Sequence, residues 1–183
     1  MIFYFSGTGN SKWIANTVST YQQERLISIA GEMTDPANSF HYTLQNNEKI
    51  GFVFPVYSWA PPAIVLDFLR KIRLENYHGQ YMFFICSCGD EAGLTLPIIQ
   101  KEAELKGLKW NAGFSVIMPN TYVSLPGFNV DPLHIVSKKL REAKERIEYI
   151  SSKLAARARL IDCYEGAFPW IKSYLIHFLF MHT

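Results

Sequence analysis

The chain has 183 residues, of which 49% are hydrophobic and 19% charged, and its formal net charge is +2. This length suits one domain with a sizeable apolar core, and the composition excludes disordered, collagen-like and polar-repeat proteins. A net charge this small gives no reason to expect nucleic-acid binding.

Short apolar runs alternate with segments of helical periodicity along most of the chain. The first run ends in a small polar loop, beyond which Ile14, Val18 and Tyr21 recur at helical spacing. Residues 31–45 read as a polar connection, and the longest helix opens at Asp131. The five predicted strands cover residues 1–5, 26–30, 49–54, 80–87 and 109–118. Strands that are apolar on both faces, separated by amphipathic helices, predict an α/β fold, a doubly wound three-layer sandwich with a five-stranded parallel sheet.

The loop after the first strand, Ser6-Gly7-Thr8-Gly9-Asn10-Ser11, has the composition of a phosphate site. Its hydroxyl and carboxamide groups can donate hydrogen bonds, and its glycines let the backbone approach an anion. Its amides also open a helix, whose dipole favours negative charge. The Walker lysine and the third glycine of the dinucleotide fingerprint are both missing from the loop. We therefore predict that a phosphate monoester is bound by Ser6, Thr8, Gly9, Asn10 and Ser11.

The pattern Ser6-x-Thr8-Gly9-x-Ser11 resembles the phosphate loop of flavodoxins. The sequences of residues 4–11, 52–57 and 111–119 are similar to those of the flavodoxin-like domain of flavodoxin–ferredoxin fusion proteins. The similarity spans residues 1 to about 160. The resemblance implies the strand order 2-1-3-4-5, FMN as the cofactor and one-electron transfer as the activity. It also implies a redox partner, either a ferredoxin domain or another iron–sulfur protein.

The resemblance implies two further loops that hold the flavin. After the third predicted strand, Trp59 or Tyr57 would stack on the isoalloxazine ring, and after the fourth, backbone amides near Gly89 would bind its pyrimidine end. The implied positions are Pro55, Val56, Tyr57, Ser58 and Trp59 in one loop and Ser87, Cys88, Gly89, Asp90 and Gly93 in the other. Many flavodoxins have an aromatic residue shortly after the aspartate, but here none follows Asp90 closely, and Tyr122 is the candidate substitute.

The three cysteines, Cys86, Cys88 and Cys163, are too few for a disulfide framework and lack metal-ligand spacing. For Cys88, a small buried loop residue is favoured over a nucleophile, because no histidine lies near it in the sequence. The start of the chain lacks the features of a signal peptide, and no apolar run reaches the roughly 20 residues that a membrane span needs. We expect a cytoplasmic protein with no metal site, no membrane span and no nucleic-acid partner.

Three functions remain open at this point. An FMN-binding carrier of single electrons is favoured over an FMN reductase linked to NAD(P)H or quinones, and the third alternative is a cofactor-free interaction module. Residues 1–162 are expected to form the FMN-binding domain, and residues 163–183 an apolar tail of helical propensity. One face of the tail is expected to pack on the sandwich and the other to meet a ferredoxin domain or a second copy of the chain.

Overall fold

A computed structural model describes residues 1–121 and 130–176 of the chain. The strands are β1 (Ile2–Tyr4), β2 (Leu26–Ser28), β3 (His41–Thr43), β4 (Ile50–Pro55), β5 (Arg73–Glu75), β6 (Met82–Cys88), β7 (Ala112–Ile117) and β8 (Leu160–Asp162). The helices are α1 (Asn10–Gln22), α2 (Ile29–Thr34), α3 (Ala63–Lys71), α4 (Thr95–Leu105) and α5 (Leu133–Ala155), and Ile171–Ile176 form a π-helical turn. Across these described ranges, no helix combines the length and the apolar composition needed to cross a bilayer.

Six parallel strands form the main sheet, in the order β2-β1-β4-β6-β7-β8. Its centre is apolar on both faces, as the sequence predicted, and every residue of β6 is buried. Gly51 in β4 allows close packing there, because a Cβ at this position would lie 2.4 Å from the ring of Phe83 on the neighbouring strand. The central strands are therefore closely packed, and they position the loops that follow them.

Helices cover both faces of this sheet. On one face, Phe3, Phe52 and Phe84 belong to a buried cluster with side chains of α2, α3 and α4. On the other face, Val53 and Phe83 belong to a second cluster with side chains of α1 and α5. Successive residues of one strand, such as Phe52 and Val53, thus enter opposite clusters, as the two-residue period of a strand requires. The predicted three-layer sandwich is confirmed.

The number of strands in the main sheet differs from the prediction. The five predicted strands correspond to β1, β2, β4, β6 and β7, which lie in the order expected for them, but β8 adds a sixth strand beside β7. This edge strand has only three residues, and none of them is fully buried. So short a segment carries too little apolar periodicity to be recognised as a strand in the sequence.

The prediction that residues 31–45 form a polar connection was also wrong, because these residues contain most of α2 and all of β3. Strand β3 pairs in parallel with β5 in a separate two-stranded sheet. Each of these elements buries one residue in the core, Ile29 in α2 and Tyr42 in β3. A single buried residue per element leaves no periodic pattern, so the tertiary contacts of Ile29 and Tyr42 stabilise these short segments.

Candidate functional site

The three predicted loops meet at one edge of the sheet. Strands β1, β4 and β6 are neighbours and parallel, so the loops that follow them leave the sheet at its carboxyl edge. The chain passes from β1 to β2 on one side and later to β4 on the other, and such a reversal opens a crevice between the loops of an α/β sheet. The fold thus brings together residues 6–11, 55–60 and 87–93.

The first loop ends at the start of α1. Gly9 is the N-cap residue, and its φ of 101° is a left-handed conformation that favours glycine. The Gly9 amide donates to the Ser6 hydroxyl at 3.1 Å. Within the described part of the chain, no side chain caps α1, so the amides of its first turn face the loop without a capping acceptor. This arrangement can bind an anion beside Ser6 and Thr8.

The other polar side chains of this loop contact neighbouring segments. Ser11 is buried, and its hydroxyl lies 2.7 Å from the Ser87 hydroxyl at the end of β6. The Asn10 amide group donates to the Pro119 carbonyl at 3.0 Å, and the Thr8 hydroxyl lies 3.1 Å from that of Thr121. The predicted ligands Ser11 and Ser87 therefore hold α1 against β6. Tyr122, the candidate flavin cover, lies outside the described residues.

Tyr57 reaches from the second loop onto the first. A Cβ at Gly7 would lie 2.5 Å from the Tyr57 hydroxyl oxygen, so Gly7 permits this close approach. The Tyr57 ring also meets Phe5 edge-on, with 6.2 Å between ring centroids. Burial raises the pKa of Tyr57 above its ordinary value, so the phenol stays protonated and can donate a hydrogen bond over the loop, as an ordinary tyrosine would near neutral pH.

The second loop is a tight turn that follows Pro55, the last residue of β4. The Val56 amide donates to the Ser87 carbonyl at 2.8 Å, and two backbone hydrogen bonds join Tyr57 to Ala60. Ser58 and Trp59 lie between them with φ values of 49° and 60°. A turn with two left-handed residues normally uses Asn and Gly, and other residues cost roughly 1–2 kcal/mol each in this conformation.

Trp59 lies at the sheet edge with two unforeseen neighbours. Its indole nitrogen donates to the Glu91 carboxylate at 2.8 Å. The Lys172 ammonium forms an ion pair with the same carboxylate oxygen and lies 5.7 Å from the centre of the indole ring. The side chain expected to stack on a flavin is thus already oriented by charged groups from the third loop and from the tail.

The third loop is held from α5 by Lys139. The Lys139 ammonium donates to the Gly89 carbonyl at 2.8 Å and to the Asp131 carboxylate at 2.8 Å, and it lies 3.6 Å from the largely exposed Asp90. Burial alone would raise the pKa of Asp131, but the Asn120 amide and Lys139 outweigh burial and lower it. A largely buried cation therefore fixes the backbone of the loop that the resemblance assigned to the flavin pyrimidine.

Cys88 and Gly93 have structural roles within this loop. Burial raises the pKa of the Cys88 thiol to about 12, which favours the small buried residue over the nucleophile. Gly93 has a φ of 55°, and a Cβ there would lie 2.6 Å from Trp59 Cβ and 2.7 Å from Ser173 Oγ. Only glycine allows the second loop, the third loop and the tail to meet at this point.

The sequence matches a protein-family model over most of its length. A sequence model described as flavodoxin domain matches residues 1–125. The chain belongs to the flavodoxin domain family. The matched range contains all three loops and ends before α5, β8 and the tail. Membership of this family supports FMN as the cofactor of the chain.

Two solved flavodoxin structures of low sequence identity are similar to this chain. A flavodoxin from Streptococcus pneumoniae TIGR4 is 15% identical, covers 86% of this chain and 97% of its own, and gives a TM-score of 0.52. An FMN-bound flavodoxin from Fusobacterium nucleatum is 12% identical, covers 83% of this chain and 96% of its own, and gives 0.47. No curated protein matches the sequence.

Sequence reasoning found the three loops but missed the residues that hold them. Glu91 of the third loop contacts Trp59 of the second loop, and Lys139 of α5 contacts the third loop. From the tail, Lys172 contacts Glu91, and Ser173 contacts Trp59. Pro119 and Thr121 contact the first loop. The motif around each loop gives no signal for a partner that lies 30 or more residues away along the chain, as Glu91 lies from Trp59.

Proposed function

We propose that the protein binds FMN at the carboxyl edge of the sheet and transfers single electrons. The observation that carries the proposal is the convergence of the helix-opening loop, the Tyr57–Trp59 turn and the 88–93 loop at one switch point of the sheet. FMN, when bound, supplies reversible one- and two-electron chemistry, and the protein contributes orientation, electrostatics and exclusion of water. This activity needs no nucleophile or acid–base set.

The phosphate group fits the first loop. Ser6 and Thr8 offer hydroxyls, and the backbone from Gly7 to Ser11 offers amides at the positive end of the α1 dipole. No cation lies within residues 6–11, so hydrogen bonds provide most of the phosphate affinity, and each one to a charged acceptor is worth about 1.5–3 kcal/mol. Such a site distinguishes FMN from riboflavin, which has no phosphate.

The flavin ring fits between the second and third loops. Tyr57 is 40% exposed and Trp59 is half-buried, so both rings offer apolar surface at the edge. The peptide groups of residues 88–90 supply donors and acceptors in a backbone that Lys139 holds in place. Aromatic stacking and fixed peptide dipoles are the two contributions that a planar, electron-poor ring requires.

An iron–sulfur protein, either a ferredoxin domain or a separate protein, is the partner we propose for electron exchange. Support comes from the tail, which contacts the Trp59 turn and leaves Phe168 and Trp170 70% and 62% exposed. Exposed aromatic side chains beside a redox centre suit a transient interface. A second copy of the chain is the alternative partner for this interface. The division into a domain that ends at residue 162 and a tail that begins at residue 163 stays a prediction. A cytoplasmic location also stays a prediction.

Titration of the purified protein with FMN and with riboflavin tests the assignment. We expect the fluorescence of both FMN and riboflavin to be quenched when they bind to the protein. FMN should bind about ten- to a hundredfold more tightly than riboflavin, since only FMN has a phosphate for the first loop. Unchanged flavin fluorescence would favour the cofactor-free module instead. Inorganic phosphate serves as the competitor, because it should displace FMN and leave riboflavin bound.

An FMN reductase is the second candidate. It is favoured by the residues after Asp90, because Glu91 binds Trp59 and Ala92 is buried, so neither covers the outer face of a ring. A hydride donor could then stack there. Steady-state oxidation of NADH or NADPH by the FMN-loaded protein separates the two functions, and an electron carrier should show no sustained turnover without a protein acceptor.

A further inference from the structure

We propose that residues 164–173, which lie beyond the range matched by the family model, complete the cofactor site by holding the Trp59 turn in place. The tail junction is the set of contacts that joins Trp59, Glu91 and Gly93 to Lys172 and Ser173. The inference rests on the proposed FMN function for its effect on binding, but the junction itself exists in the protein without cofactor.

Ser173 links the second and third loops through one hydroxyl group. Its oxygen accepts a hydrogen bond from the Leu94 amide at 2.8 Å and donates one to the Trp59 carbonyl at 2.8 Å. The side chain is almost fully buried, with 2% of its surface exposed. Removal of a buried hydroxyl that both accepts and donates leaves two backbone groups unpaired, which is more costly than loss of a surface contact.

Lys172 and Glu91 fix the indole ring. Glu91 accepts from the Trp59 indole nitrogen and pairs with the Lys172 ammonium, which also lies over the indole ring. Both side chains of the ion pair are largely buried, at 26% and 18% exposed. Because an ion pair shielded from water is stronger than one on the surface, Lys172 restrains Glu91, and Glu91 restrains the ring.

The backbone of the tail joins the same site. The Ala92 amide donates to the Tyr164 carbonyl at 2.9 Å, and the Gly93 amide donates to the Glu165 carbonyl at 3.1 Å. Gly166, with a φ of 80°, lies so close to Glu91 that a Cβ there would meet its carboxylate. Backbone pairing and close glycine contacts show that the tail is seated on the third loop over several residues.

The strained turn explains why such support is needed. Ser58 and Trp59 hold left-handed backbone angles without the glycine or asparagine that usually stabilise them. Residues in such conformations persist only where the surrounding structure holds them, and Ser173, Glu91 and Lys172 provide that support. Since the same turn carries Tyr57 over Gly7, the tail acts on both the ring end and the phosphate end of the site.

Amide hydrogen exchange and flavin titration together test the proposal. In the cofactor-free protein, Ser173→Ala and Lys172→Met should speed exchange of the Tyr57, Ala60 and Leu94 amides. Both variants should weaken FMN by about three- to tenfold, because binding must first order the turn. Lys172→Arg keeps the charge and should restore both properties, and Tyr174→Ala, which alters an exposed side chain of the same segment, should change neither.

The outcomes separate the two proposals. If the wild-type protein binds no FMN, the function fails, while hydrogen exchange still tests the junction. If FMN binds but the variants match wild type in both affinity and exchange, the junction proposal is wrong and the function stands. Weaker FMN binding without faster exchange at Tyr57 and Ala60 would also overturn it, because the tail would then not act through the turn.

Discussion

The Ser6–Ser11 loop and the tail junction lie at the same edge of the sheet but are built differently. The loop is six consecutive residues, Ser6–Ser11, that follow β1 and enter the first turn of α1, and its left-handed Gly9 has open space around it. The junction joins residues that are 32 to 114 positions apart in the chain, and its left-handed Gly93 is surrounded by Trp59 and Ser173. Local backbone chemistry thus creates one half of the site, and long-range packing creates the other.

The largest expected difference between the two regions concerns these glycines. Gly93→Ala combines a strained φ with a Cβ 2.6 Å from Trp59 Cβ, so the free energy of unfolding should fall by about 2–5 kcal/mol. Gly9→Ala meets no atom within 4 Å and should lower it by only about 1–2 kcal/mol. Urea unfolding of both variants measures the difference, and equal losses would contradict the contrast between open loop and packed junction.

A loss of phosphate contacts should affect one ligand only. Thr8→Ala is expected to weaken FMN by about ten- to a hundredfold and to leave riboflavin nearly unchanged, because the proposed site uses the Thr8 hydroxyl to bind the phosphate. Thr8→Ser retains the hydroxyl and should bind FMN almost normally. Thr20→Ala, at an exposed position of α1, is the matched control. Equal losses for both flavins would place the phosphate elsewhere.

Trp59 should affect both flavins alike. Trp59→Ala removes a stacking partner worth about 0.5–1.5 kcal/mol, so FMN and riboflavin should each weaken by roughly two- to tenfold. Trp59→Phe keeps an aromatic ring but loses the hydrogen bond to Glu91, and it should recover part of the affinity. Redox titration of the FMN-loaded variants should show shifted potentials. If FMN binding leaves the fluorescence of Trp59 unchanged in a Trp13→Phe, Trp110→Phe, Trp170→Phe background, the residue is not near the ring.

The smallest effect concerns Asp131, which supports the third loop through Lys139. Its folded pKa is lowered, so as pH falls the unfolded chain takes up the proton first. Its contribution is fully present above about pH 4 and is lost as pH falls through the folded pKa. Asp131→Asn should lower stability by about 1 kcal/mol at pH 7 and should flatten the decline in stability below pH 4. A variant with the same acid profile as wild type would show that this carboxyl is not stabilised by folding.

Prediction from sequence succeeded where the signal is contiguous. The central strands are nearly continuous apolar runs, and the small polar residues that end the first run mark the turn from β1 into α1. It failed for β3, β5 and β8, which have three residues each and owe their pairing to neighbours brought to them by the fold. It also gave no indication of the contact between Ser11 and Ser87, because nothing in either motif reveals that the two hydroxyls meet in the interior.

The sequence by itself determined the layered α/β fold and the position of the Ser6–Ser11 loop at the start of a helix, since both depend on local periodicity and on the glycines that interrupt it. Only the tertiary structure decided what orients the Trp59 ring and what fixes the 88–90 backbone. Glu91, Lys139 and Lys172 read as ordinary surface charges in the sequence. Burial between elements from distant parts of the chain shields these charges from water and turns them into specific hydrogen-bonding partners.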